Sequence, residues 1–182
     1  MKVRDEIIIS DPRTKIIERV IKGHSLCKAL AQVMANTLFR YPTTLTFYDM
    51  IGNGLVTVAS DLTMAATQNG LSGIVIGSGD TTPEAISNLD LDVMIVNGVA
   101  AGQISYGPNV WVDAYLSGAT WVAEVQKTFT NLSGADITVK ELGLTLGRPA
   151  TIVDQILLAR VLSTFVIANT LAKTVTWRII VT

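Results

Sequence analysis

The sequence predicts a mainly β protein: an antiparallel sandwich of the jelly-roll or immunoglobulin-like kind, with one N-terminal α-helix packed on it. Three observations predict it. Val110, Val112, Ala114 and Leu116 alternate with Trp111, Asp113 and Tyr115. After a turn at Ser117-Gly118, Trp121, Ala123, Val125 and Phe129 share a face, Lys127 being the exception, against Glu124, Gln126, Thr128 and Thr130. Side chains alternate across a strand, so a period of two marks a strand with one face buried. Short apolar runs separated by Gly, Asn, Ser and Pro recur along the chain, as sandwiches require. Helical spacing is strong in one place only, residues 25–39. With no repeat, low-complexity segment or linker, the 182 residues read as a single domain over 1–182.

Taken in order, 1–22 holds two apolar pulses, Ile7-Ile8-Ile9 and Ile16-Ile17 with Val20 and Ile21, around Asp11-Pro12-Arg13-Thr14. β-Branched residues flanking a Pro-containing turn favour a β-hairpin. The rival is a helix with Asp11 as N-cap, Pro12 in its first turn and Gly23 past its end. Over 25–39, Leu26, Leu30, Val33, Met34 and Leu38 recur at helical spacing, Ser25 suits the N-cap, and Pro42 bars continuation. Ala29, Ala31 and Ala35 give this helix a small flank that fits a sheet or a second copy.

The sandwich is expected over 43–182. Residues 43–58 read as strand, turn at Gly52-Asn53-Gly54, strand, and 61–70 is polar and ambiguous. Gly73–Gly77 is a short buried strand running into the 78–83 loop, and 84–92 is an acidic connection with at most one helical turn. Residues 156–162 and 174–182 are further strands; in the last, Val175, Trp177, Ile179 and Val181 share a face.

Composition bounds the function. Apolar residues make up 49% and charged residues 16% of the chain, against about 25% charged in a typical soluble domain. Little charge is left to cover a surface. A spanning helix needs about 20 apolar residues, and the best run, 91–101, is shorter and holds Asp92 and Asn97. Residues 1–10 do not read as a secretory signal. The remaining reading is burial against partners, an obligate oligomer or shell component. A net charge of −1 without a basic run argues against direct nucleic-acid binding. The single cysteine, Cys27, rules out an internal disulfide framework and a cysteine-based zinc site.

One stretch organises the rest: 129–144, FTNLSGADITVKELGL. It reads as the end of a strand, a hairpin turn at Asn131-Leu132-Ser133-Gly134, and a strand from Ile137. Ile137 and Val139 take one face, with Asp136, Thr138 and Lys140 on the other. Glu141 then falls on the apolar parity and Leu142 and Leu144 on the opposite one, a phase change that a bulge or bend near Gly143 would explain. With Leu157-Leu158-Ala159-Arg160, a Thr-rich last strand over 173–182 and the earlier Gly77-Ser78-Gly79-Asp80-Thr81-Thr82-Pro83, this stretch resembles a loose group of tailed-phage and archaeal-virus virion structural proteins of β-sandwich type. Those carry an N-x-SG turn, a KE-x-GL strand, an LLAR run and a closing strand. The likeness covers the C-terminal half and, more weakly, the N-terminal third; no motif is specific alone, and their order carries it. The group places a glycine turn before the last strand, where this chain has Ala168-Asn169-Thr170. The resemblance implies a structural role in a virus particle.

Chemical constellations are thin. His24 is the only histidine, and with Cys27 it would have to carry any nucleophilic chemistry; a turn residue and a packed helix residue account for them. The glycine loop at 77–82 lacks the Gly-Lys-Ser/Thr of a phosphate loop, and Asp80 would repel phosphate. Asp80, Glu84, Asp90 and Asp92 offer oxygens for calcium without its loop spacing, and read as a solvated acidic loop. Asp113 and Glu124 sit on neighbouring strands, as a glycosidase pair would, or as polar-face residues do. Asn131-Leu132-Ser133 matches a glycosylation sequon.

Two charges stand out. Glu141 lies on apolar parity and Arg160 inside the apolar run 156–162, and a buried carboxylate needs a partner. The expectation is that they form a structural ion pair, or that Glu141 caps backbone N–H groups of a neighbouring loop. The chain is therefore expected to be a non-enzymatic virion component without cofactor: a head-decoration, collar or tail protein, assembled in the host cytoplasm, whose partners are copies of itself and other virion proteins. Candidate contact surfaces are Ala29, Ala31 and Ala35 on the helix, and Trp111 and Tyr115. The alternative is a surface module recognising a carbohydrate or host receptor, with Trp111, Tyr115 and Trp121 offering flat faces to sugar rings.

Overall fold

Ten strands are seen in the structure, a computed structural model, which describes residues 3–22, 45–48, 54–57, 72–85, 87–88, 90–147 and 155–182. They are β1 (Val3–Ser10), β2 (Ile17–Lys22), β3 (Leu45–Tyr48), β4 (Gly54–Thr57), β5 (Gly73–Gly77), β6 (Ser105–Ser117), β7 (Thr120–Thr130), β8 (Ile137–Gly147), β9 (Gln155–Ile167) and β10 (Ala172–Val181). No helix occurs among the described residues. The helix expected over 25–39, with Ala29, Ala31, Ala35, Cys27 and the preceding His24, lies outside them. The strands form three sheets, ordered β2-β1-β10-β7-β6, β3-β4 and β5-β8-β9. The chain divides into two compact units, Met1–His24 with Val96–Thr138 and Val166–Thr182, and Ser25–Ile95 with Val139–Phe165.

The first unit holds the five-stranded sheet, antiparallel throughout. β1 and β2 pair as a hairpin. Asp11 closes their turn by accepting the Arg13 and Thr14 N–H groups at 2.7 and 3.0 Å, and those two bonds hold its carboxyl below the ordinary value. Capping of free N–H groups is what an N-cap also does, which is why a helix start was the rival reading. β10 lies between β1 and β7, with Ile7, Trp177 and Val125 in one cross-strand row. On that face Ile7, Ile9, Val175, Trp177, Val125 and Phe129 are buried. Lys127 shares the face and is also buried, at 1% exposure, which pulls its amine down to about 7. Its Nζ lies 5.4 Å from the centre of the Tyr106 ring, which meets Phe129 edge-on at 4.9 Å. The expected alternation therefore holds from Val125 to Thr130, with Lys127 in the core, and fails at the start of β7, where Trp121 and Ala123 are exposed and Val122 and Glu124 buried.

In the second unit, β5 is buried at every position and pairs with β8 in unbroken register from Gly73↔Thr145 to Gly77↔Glu141. On this pairing no register shift interrupts β8 at Gly143, where a bulge was expected. Residues 141–146 are all buried, so β8 is covered on both faces and needs no alternation. Gly143 fits because nothing larger does: a Cβ there would stand 2.9 Å from Leu157 Cδ1 and from Val75 Cγ2.

The hairpin expected over 129–144 is also corrected. β7 belongs to the five-stranded sheet and β8 to the sheet of β5 and β9, so 131–136 connects two sheets. The reason lies in Asn131, which is buried and donates its Nδ2 to the carbonyls of Ala135 at 2.8 Å and Ile167 at 2.7 Å. Its backbone pairs with the 168–171 turn through Asn131 N to Leu171 O and Thr170 N to Asn131 O.

Candidate functional site

Three of the segments that carry the resemblance, the 77–83 loop, the KE-x-GL strand and the LLAR run, converge on one buried cluster in the second unit; the N-x-SG turn and the closing strand lie in the first. β8 supplies Glu141, β9 supplies Arg160, and the 77–83 loop wraps them together with Asp92 and Val93. Arg160 is 1% exposed and Glu141 0%. Arg160 Nε donates to Glu141 Oε2 at 2.9 Å, and Nη1 donates to the Thr82 carbonyl at 2.9 Å. Nη2 lies 2.9 Å from Glu141 Oε2 and 3.1 Å from Asp92 Oδ2, as ion-pair contacts without an aligned hydrogen bond. Glu141 also accepts the backbone N–H of Asp92 and of Val93, each at 3.0 Å. Glu141 thus does both things expected of it: it pairs with Arg160 and caps loop N–H groups.

Asp92 completes the knot. Its Oδ2 accepts the Thr81 and Thr82 N–H groups at 2.8 Å and the Thr81 hydroxyl at 3.2 Å. Hydrogen bonds from Thr82 first, then the Arg160 charge and Thr81, hold its carboxyl well below the ordinary 3.8. The glycines of the loop follow from this approach. A Cβ on Gly77 would stand 2.4 Å from Glu141 Oε1, and one on Gly79 would stand 2.3 Å from Asp92 Cβ. Two other acids of the stretch have partners too: Asp80 meets Lys140 at 3.1 Å, and Glu84 Oε1 accepts the Leu162 N–H at 2.6 Å; burial raises the Asp90 carboxyl above its ordinary value. These bonds tie loop to strand where Glu141 takes the Asp92 and Val93 N–H groups, loop to loop where Asp92 takes those of Thr81 and Thr82, and β8 to β9 through Glu141 and Arg160. Among the described residues no group of three His, Cys, Asp or Glu side chains is placed to hold a metal ion.

A second polar feature crosses the five-stranded sheet. Lys22 on β2 meets Glu6 on β1 at 3.6 Å, Glu6 meets Arg178 on β10 at 3.2 Å, and Arg178 meets Glu124 on β7 at 3.2 Å. The Tyr115 hydroxyl of β6 donates to Glu124, which raises its own pKa. Tyr115 is therefore bound within its own sheet. Glu124 faces Val112 across the ribbon, and the register shifts between Val112 and Tyr115, so the structure does not set Asp113 opposite Glu124. Trp111 lies on β6 opposite Val125. The sequon at Asn131 is closed, because the amide that a sugar would need is already spent on two carbonyls.

Sequence reasoning found Glu141 and Arg160 because each broke an apolar pattern. It missed Asp92, whose acidic loop reads as solvated, and the ladder through Arg178, whose one sign was a cation inside the otherwise uncharged 175–181 run.

Apolar side chains remain exposed in the first unit. Ile16, Ile17 and Val20 line the edge of β2, and Val110, Val112, Leu116 and Trp121 lie on the β6–β7 hairpin. No described helix is long and apolar enough to cross a membrane. Comparison with protein-family models, with curated proteins and with solved structures finds no match.

Proposed function

We propose that this chain is a non-enzymatic structural component of a virus particle, a head-decoration, collar or tail protein that acts by oligomeric assembly with copies of itself and other virion proteins. The fold in this reading is a β-sandwich of the jelly-roll or immunoglobulin-like kind. The observation that carries it is the set of exposed aliphatic and aromatic side chains on the β2 edge and the β6–β7 hairpin, on a chain with only 16% charged residues. Obligate interfaces resemble a domain core cut in half, and scattered single apolar residues would not. The Glu141–Arg160 knot supports the same reading: its charges are spent on holding loops and strands together. The particle itself enters through the order of the motifs at 77–83, 131–144 and 157–160.

The test is the mass of the purified protein in solution, by light scattering over a concentration series. A fixed oligomer, or growth into rings or tubes, is the expected result. A monomer that persists at high concentration overturns the reading. The alternative, a surface module recognising a carbohydrate or host receptor, is favoured by the exposed indole of Trp121, an apolar plate of the kind that packs on sugar rings. Binding to a glycan array by a monomeric protein would decide for it.

A further inference from the structure

One face of β7 passes from core to solvent without changing its chemistry. Phe129, Lys127 and Val125 are buried, while Ala123 and Trp121, next on the same parity, are exposed, Trp121 at 54%. The neighbours continue the overhang. Leu116 on β6 stands directly opposite Trp121 and is 58% exposed. On β10, Ile179 faces Ala123 and Val181 faces Trp121, both half-buried. The sheet is thus longer than the core that covers it, and its uncovered end is apolar at Trp121, Ala123 and their three cross-strand neighbours.

We propose that this overhanging face, centred on Leu116 and Trp121, is the contact with a second copy of this chain. The inference rests on the reading of the protein as an assembling structural component and names the surface. Two observations favour a like partner. Between Val110 and Ala123 the only charged residue is Asp113, so two such faces meet without opposing charges, whereas charged side chains usually guard an exposed sheet. The area also fits reciprocity. Half of a tryptophan, half of a leucine and their neighbours offer about 400 Å² per copy. Matched by the same patch on a second copy it gives about 800 Å², and the polar rim has to bring the contact to the roughly 1,000 Å² of a specific interface.

The experiment compares the full-length wild type with Leu116→Glu and Trp121→Glu by light scattering, with circular dichroism to confirm the β fold. A wild-type oligomer whose dissociation constant rises about a hundredfold or more in each folded variant is expected, because each substitution puts an unpaired charge into the contact. A wild-type oligomer that both folded variants retain overturns this surface and leaves the assembly reading standing. A wild-type monomer overturns both. Glycan binding that is lost in Trp121→Glu at unchanged mass assigns the face to a carbohydrate and overturns the pairing. Should the variants unfold, Leu116→Cys in a Cys27→Ser background decides: an intermolecular disulfide on oxidation supports the contact, and its absence refutes it.

Discussion

Thr170 holds a left-handed backbone, φ 66°, in the turn before β10. This is the place where the proposed virion-protein resemblance leads one to expect glycine. A β-branched residue meets its own carbonyl there, at a cost of about 1–2 kcal/mol. The turn tolerates it because Thr170 N donates to Asn131 O at 2.8 Å and Leu171 N to Ala168 O at 3.0 Å. Thr170→Gly removes the strain and returns part of the gain as chain entropy, about 0.5–1 kcal/mol. The variant is expected to be more stable by about 0.5–1 kcal/mol, read as a higher denaturant midpoint at unchanged slope; an equal or lower midpoint would show that the side chain is held by something else. The departure from the motif was visible in the sequence, but the backbone angle that gives it meaning was not, since Asn and Thr before a strand suit several turns.

At the scale of elements, β8 and β9 are joined by side chains as well as by backbone. Glu141→Ala strips the buried Arg160 of its nearest carboxylate, leaving it Asp92 alone, and should cost up to about 3–5 kcal/mol. The double variant Glu141→Leu with Arg160→Met removes both charges and should cost less than either single change, a coupling that denaturant unfolding of the four proteins would measure. Gly77→Ala should mimic a milder form of the same loss, about 1–3 kcal/mol, by pushing on Glu141. If the singles and the double add, the knot is not a unit.

What was legible at this scale follows from locality. β5, the β6–β7 hairpin and the β1–β2 turn declare themselves because each is specified by a few adjacent residues. Partner choice for β8 is not local. The Asn131-to-Gly134 run fits a hairpin equally well, and the deciding bond runs from Asn131 to Ile167, 36 positions away. Gly143 misled for a related reason: a phase change marks a bulge in a strand with one covered face, and means nothing in one buried on both. Glu141 and Arg160 were readable in advance because a charge on apolar parity is costly wherever the strand lies. Asp92 was not, since a loop carboxylate looks the same in sequence whether it faces water or Thr81 and Thr82.

For the whole molecule these groups set a stability profile with two limbs. Asp92 is held below 3.8, chiefly by hydrogen bonds from Thr82 and then by Arg160. As pH falls through that value the unfolded chain takes up a proton that the folded chain refuses, so stability drops toward acid. Lys127 works at the other end. Burial lowers its amine from 10.5 to about 7, so between those values the unfolded chain binds a proton that the folded chain does not. Stability should therefore rise with pH across that window, by up to about 1.4 kcal/mol per unit from this group, and be flat with respect to Lys127 below it. Thermal melts from pH 3 to 10 are expected to show a fall on the acid side that Asp92→Asn reduces, and a rise above neutrality that Lys127→Met abolishes. A rise that persists unchanged in Lys127→Met would mean that another group carries it, and that Lys127 keeps its proton when folded although the neighbouring side chains of its row, from Ile9 through Val175 to Asn109, are buried.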